Sequence, residues 1–307
     1  MKIARFPLAR RYLLAAAFAL LVPGGCAWIE TKQGEWIFNP VQSEWRGFRG
    51  LPEGWSEQWI PVGTHGEKIH AWWAPVADPG APVLLYLHGA RWNLTGSITR
   101  IPRWNSMGFS VLAIDYRGFG KSIMASGTAP SEQSATDDAL AAWQTLMQLT
   151  PGRKHFIFGH SLGGAMATQV ALKYPDANGL ILEGSFTSVP DMIREMRWGF
   201  LPVSFLVTQR FDNLDRIDDV AVPVLVVHGT ADDVVPFAMG ERLFAAARAP
   251  KRFLKLEGGN HHNLTANFFS DYRATIAEHF NLPLPLPTPT VAGPNSGSAG
   301  AVGSGSR

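Results

Sequence analysis

A single cysteine, Cys26, stands in 307 residues, so no intrachain disulfide is possible and the chain depends on a buried core. Charge is also sparse. Asp, Glu, Lys and Arg make up 17% of the residues against 46% hydrophobic ones, a balance that excludes a disordered chain. The net charge is only +2, and Lys2, Arg5, Arg10 and Arg11 precede residue 26 with no acid among them. The remainder therefore carries a net −2, and no basic surface for nucleic acid is encoded. The apolar run at 12–22 is shorter than the roughly 20 residues a membrane-spanning helix needs. Spaced Cys, His and carboxylate clusters of the kind that hold metals are missing too.

What is present begins with two unusual ends. Residues 1–25 have the layout of a bacterial export signal: a basic start, an apolar run, then Gly24 and Gly25. Cys26 follows directly, which resembles a lipoprotein signal whose cysteine becomes the lipidated first residue. Pro23 stands where such signals usually carry an aliphatic side chain, and a free cysteine near an uncleaved anchor or beside an ordinary cleavage site is the alternative. The expectation is an exported bacterial envelope protein, anchored by lipid at its N-terminus on the periplasmic side. Residues 282–307 alternate proline with leucine and threonine, then turn to glycine, serine and alanine, the composition of a disordered tail.

Residues 26–57 are rich in tryptophan (Trp28, Trp36, Trp45 and Trp55, with Trp59 just beyond) and lack clear periodicity. They are expected to form an irregular arm over the main domain, with the indoles packed against it or, if Cys26 is lipidated, facing a membrane. The main domain spans 58–281. Apolar runs at 82–88, 110–115, 156–158, 179–183, 223–228 and 251–257 read as buried strands, and 58–75 reads as two strands around His65-Gly66. Helices are expected near 97–106, 132–149 (capped by Ser131), 237–247 and 264–280. Such alternation predicts a mainly parallel sheet with helices on both faces, its ligands bound beyond the carboxyl ends of the strands. The insertion at 185–220 is apolar enough for a small helical cap. Its Met192, Met196, Trp198, Phe200, Leu201 and Phe205 either contact an apolar acyl group or pack onto the sheet.

The chemistry centres on FIFGHSLGGAMA, residues 156–167. Strand, sharp turn and helix follow without a break, and Ser161 sits at the tip between glycines that avoid collisions with strand and helix. The amide of Leu162 starts the helix and is aimed over the serine, where an oxyanion would develop. A serine nucleophile needs a histidine base, and the base a carboxylate. After the late strand 223–228 comes Asp232, with Asp233 as its adjacent rival. After the last strand comes GGNHHN, offering His261 at the loop tip, with His262 as the alternative. A second oxyanion amide is expected after the strand ending at His88, at Ala90, with Arg91 next. His160 and His228 read as loop-packing residues and Asp115 as a structural acid. Gly118-Phe119-Gly120-Lys121-Ser122 ends like a phosphate loop, but Asp115 occupies the place of its first glycine.

YLHGA, DYRGFGKS, GHSLGG, HGTADDVVP and GGNHHN together resemble the alpha/beta-hydrolase superfamily, over most of 58–280. The pattern is most similar to its compact, small-capped branch of depalmitoylating and prolyl-peptidase-like hydrolases. The resemblance implies an eight-stranded α/β sheet with Ser161, Asp232 and His261 as a triad. It also implies an acyl-enzyme mechanism without metal or cofactor, acting on a small acyl-ester or acyl-thioester substrate. A peptidase and a non-catalytic envelope lipoprotein are the rival readings.

Overall fold

The computed structural model describes residues 28–195, 206–248 and 250–283. The signal-like segment, Cys26, the cap residues Met196, Trp198, Phe200, Leu201 and Phe205, and the tail from 284 onward lie outside the described residues.

The apolar runs form eight strands: β1 (Ser56–Pro61), β2 (Lys68–Ala74), β3 (Val83–Leu87), β4 (Ser110–Ile114), β5 (His155–His160), β6 (Gly179–Glu183), β7 (Val224–Gly229) and β8 (Lys251–Leu256). They make one sheet in the order β1-β2-β4-β3-β5-β6-β7-β8. The hairpin of β1 and β2 pairs antiparallel with itself and with β4, and every later pairing is parallel. The continuous apolar character of β3 to β7 follows from being covered on both faces. Side chains alternate between two cores. Ile157 joins the face packed by α3 (Glu132–Leu149), α4 (Gly163–Lys173) and α7 (Phe237–Ala246), while Phe156 and Phe158 join the face packed by α2 (Ile101–Ser106) and α9 (Phe269–His279). On that second face Trp104 meets Phe109, Phe158 and Tyr272 edge to face, the arrangement aromatic quadrupoles favour. Ser131 caps α3 as expected, in a reciprocal box with Ser134.

Three expectations need correction. Residues 28–38 are helical (α1) and not irregular. Trp28, Trp36, Trp45 and Trp59 are not packed away but substantially exposed; only Trp55 tucks in, against Trp72. The helix expected over 264–280 is interrupted at Phe268, giving α8 (Leu264–Asn267) and α9. The cap expectation is met in part: the insertion contributes α5 (Val189–Glu195) and α6 (Leu214–Ile217).

α1 is fixed to the body through its buried side. Phe38 is fully buried between Phe119 and Phe211. The Gln33 side chain donates to the Leu206 carbonyl and accepts from the Thr208 amide, which joins the arm to the end of the insertion.

Candidate active site

Ser161 occupies the turn between β5 and α4 with φ +53°, a left-handed conformation that costs a residue with a β-carbon about 1–3 kcal/mol. The crowding around it explains the glycines. A β-carbon at 159 would overlap the backbone of Gly163 and Gly164, and one at 163 the carbonyls of Leu87 and His88. The strand and helix thus approach closely enough to force the serine outward at the carboxyl edge of the sheet.

His261 and Asp232 reach the same edge from the loops after β8 and β7. Asp232 Oδ2 lies 2.8 Å from His261 Nδ1, while Oδ1 accepts the amides of Val234 and Val235 at 2.9 and 2.8 Å. A carboxylate at Nδ1 keeps the proton on that nitrogen and leaves Nε2 basic. Burial pushes the Asp232 pKa up, but hydrogen bonds to His228 and His261 and the charge of His261 outweigh it and hold the carboxyl well below the usual range. Asp233 is exposed and takes no part in this pairing. His262 also faces the cavity, without a carboxylate partner; burial, then His261 and Arg100, lower its pKa. Ser161 and His261 line one cavity. Their side chains are not hydrogen-bonded in this arrangement, a looseness common before substrate arrives.

The amides of Leu162 and Ala90 have no acceptor among the described residues, and both residues border the cavity. The Arg91 amide is not available, because it donates to the Phe38 carbonyl at 2.8 Å. That bond ties α1 directly to the loop after β3.

Several residues at the site carry no motif of their own. Arg100, just before α2, places Nη1 3.1 Å from Glu183 Oε1 and donates through Nη2 to the carbonyls of His261 and His262 at 3.3 and 3.0 Å. It thereby braces the histidine loop. Burial pushes the Glu183 pKa up, and Arg100 beside it pulls the other way. His160 lies against His261 with ring centroids 4.7 Å apart and the ring planes tilted by 41°. Burial, then the charges of Arg100, His261 and His262, hold its pKa far below the ordinary value. Gly184 has φ +54°, and a β-carbon there would stand 3.2 Å from His261 Nδ1 and 3.4 Å from Asp232 Oδ2; its bareness leaves room for the pair. A buried glutamate at a strand end was the one sequence signal for this network.

The cavity itself measures ≈ 520 Å³. Its apolar walls come from the insertion (Phe186, Val189, Met192, Ile193) and from the arm (Trp36, Ile37, Trp45). Asp115 is the structural acid expected of it, accepting the Leu94 amide at 2.7 Å beside His88. His228 packs its loop through the Val235 carbonyl. In the phosphate-loop lookalike, Lys121 pairs with Glu57 and Ser122 bonds the Asp115 carbonyl, so both serve the fold.

Comparison with known proteins agrees with this architecture. The family model described as "Serine aminopeptidase, S33" matches residues 79–214. The chain is 34% identical to the uncharacterized protein Rv2307c of Mycobacterium tuberculosis over 256 residues, 81% of this chain and 88% of that one. It is 31% identical to the zebrafish (Danio rerio) lysophosphatidylserine lipase ABHD12, over 62% of this chain and 55% of that protein, so it spans about half of that relative's length. Among solved structures, an esterase of Pyrococcus furiosus superposes with a TM-score of 0.59 at 17% identity, covering 79% of this chain and 95% of that one. Est1E from Butyrivibrio proteoclasticus, with ferulic acid bound, superposes at 0.58 and 18% identity, covering 73% and 100%. The chain belongs to the alpha/beta-hydrolase superfamily, and that membership makes it a hydrolase.

Proposed function

We propose that the protein is a serine hydrolase that cleaves carboxyl ester or thioester bonds of apolar acyl groups. His261 Nε2 takes the proton of Ser161 as its Oγ attacks the acyl carbonyl, and Asp232 steadies the resulting imidazolium. The amides of Leu162 and Ala90 receive the oxyanion. His261 returns the proton to the departing alcohol or thiol, and water then releases the acid by the same steps in reverse order. The observation that carries this reading is the strained Ser161 lining an apolar-walled cavity that is also lined by His261, already paired to Asp232 at 2.8 Å. Purified protein is expected to hydrolyse p-nitrophenyl esters and the Ser161→Ala variant to lose at least about 10³-fold in kcat; a variant as active as the parent sinks the proposal.

The family description raises an aminopeptidase as a second reading. Holding a free amino group calls for a carboxylate, and among the described residues the cavity lining contains none; its ionisable groups are Arg91, Arg100, Tyr86 and four histidines. Aminoacyl substrates are accordingly expected to go unhydrolysed. The signal-like N-terminus extends the proposal to place: the enzyme is exported and held at the cell envelope by lipid on Cys26.

A further inference from the structure

The charge balance of the cavity is uneven in one spot. Of its two arginines, Arg100 is matched by the buried Glu183 at 3.1 Å. Arg91 has no side-chain partner among the described residues, and no Asp or Glu borders the cavity to neutralise it. Its backbone is held at φ +75°, a left-handed conformation that glycine adopts freely and that costs a long side chain free energy. Turn geometry alone is served better by glycine, so a cation here has a use beyond the turn. The Arg91 amide is fixed by the Phe38 carbonyl, and the next amide, that of Trp92, by the Ala90 carbonyl at 3.0 Å. Arg91 and its neighbour Trp92 line the cavity and are exposed, so they belong to its water-facing part.

Apolar walls and a lone cation at the rim define an amphiphile. The acyl chain gains by burial against Ile37, Val189, Met192 and Ile193, and the portion that leaves as alcohol lies toward the open end. We propose that Arg91 is a specificity-determining residue that binds an anion, a phosphodiester or a carboxylate, on the alcohol portion of the substrate. This rests on the ester-hydrolase reading above. Guanidinium geometry suits either anion through paired N–H donors.

The test compares four probes of equal acyl length: decanoylglycerol, which is neutral; 1-decanoyl-glycero-3-phosphoglycerol, with a phosphodiester on the alcohol side; decanoyl glycolate, with a carboxylate there; and the glycerol monoester of decanedioic acid, with a carboxylate at the far end of the acyl chain. The ratio of kcat/KM for at least one alcohol-side anion over the neutral ester is expected to be about tenfold, the scale of one charge-assisted pair in a partly wet site. The ratio should fall to near one in Arg91→Gly, which keeps the backbone conformation, and recover in part in Arg91→Lys. Whichever alcohol-side probe is favoured identifies the anion. A wild-type ratio near one, an unchanged ratio in Arg91→Gly, or an equal gain from the acyl-end carboxylate overturns the proposal. Binding of the non-hydrolysable decyl ethers of the neutral and phosphodiester probes, followed by calorimetry, separates the two readings. If no ester is cleaved yet the anionic ether binds about tenfold tighter and loses that margin in Arg91→Gly, the anion site stands and the hydrolase reading falls; equal binding of both ethers overturns the anion site.

Discussion

Asp232 shows how much one side chain is asked to do at this site. One oxygen faces His261 and His228, and the other closes the turn at Val234 and Val235. Its folded pKa lies below that of a free aspartate, near 3.9. A depressed carboxyl stabilises the fold above its unfolded pKa, and that stabilisation is lost as pH falls through the folded value. Asp232→Asn is therefore expected to unfold at lower urea than the parent at pH 7, and the gap should shrink below about pH 4. Urea titrations at pH 7, 5 and 3 check this, and a gap independent of pH contradicts it. At this scale the sequence was legible where residues carry motifs. The spacing past β7 and β8 brought Asp232 and His261 forward, but left Asp233 and His262 open beside them. In the fold Asp232 pairs with His261 while Asp233 is exposed, and His262 shares the cavity without that pairing. Arg100 comes from the turn before α2 and the adjacent Glu183 and Gly184 from the end of β6, and no local pattern joins the two places to the histidine loop.

Among the elements, the strands were the clearest in sequence, since a strand covered on both faces is an unbroken apolar run. α1 was hidden, and its residues show why. Gly34 sits in its middle and reads as a breaker, yet a β-carbon there would strike the Pro130 carbonyl, so the glycine serves close packing. Its outward side carries Ile29 and Trp36 where a surface helix usually carries charge. The use of those residues appears only in three dimensions, where Trp36 and Ile37 wall the cavity together with Met192 of α5. Trp36→Ala is accordingly expected to lower kcat/KM for octanoyl esters about fivefold to tenfold, the worth of a modest apolar contact area. Acetyl esters, too short to reach it, should change less than twofold, a difference within the scatter of a contact worth a few tenths of a kcal/mol. A chain-length series on both proteins measures this, and an equal loss at every length argues against α1 as an acyl wall.

In the whole molecule, α1, the insertion and the loop after β3 behave as one wall around the nucleophile. Phe38 holds the Arg91 amide and Gln33 holds residues 206 and 208, so these three bonds join α1 to the loop after β3 and to the end of the insertion. An anchor at Cys26 would stand close in sequence to α1. Cys26→Ser is expected to move the protein from the membrane fraction to the soluble fraction of fractionated cells, and unchanged partitioning contradicts lipid attachment at that residue. The proposal as a whole depends on the Ser161 hydroxyl being made nucleophilic by His261. Labelling with a fluorophosphonate probe, followed by peptide mass mapping, tests that most directly. The expected result is one adduct, on Ser161, absent from Ser161→Ala and His261→Ala and retained in His262→Ala. An unlabelled native protein, an adduct on another residue, or undiminished labelling of His261→Ala would contradict it.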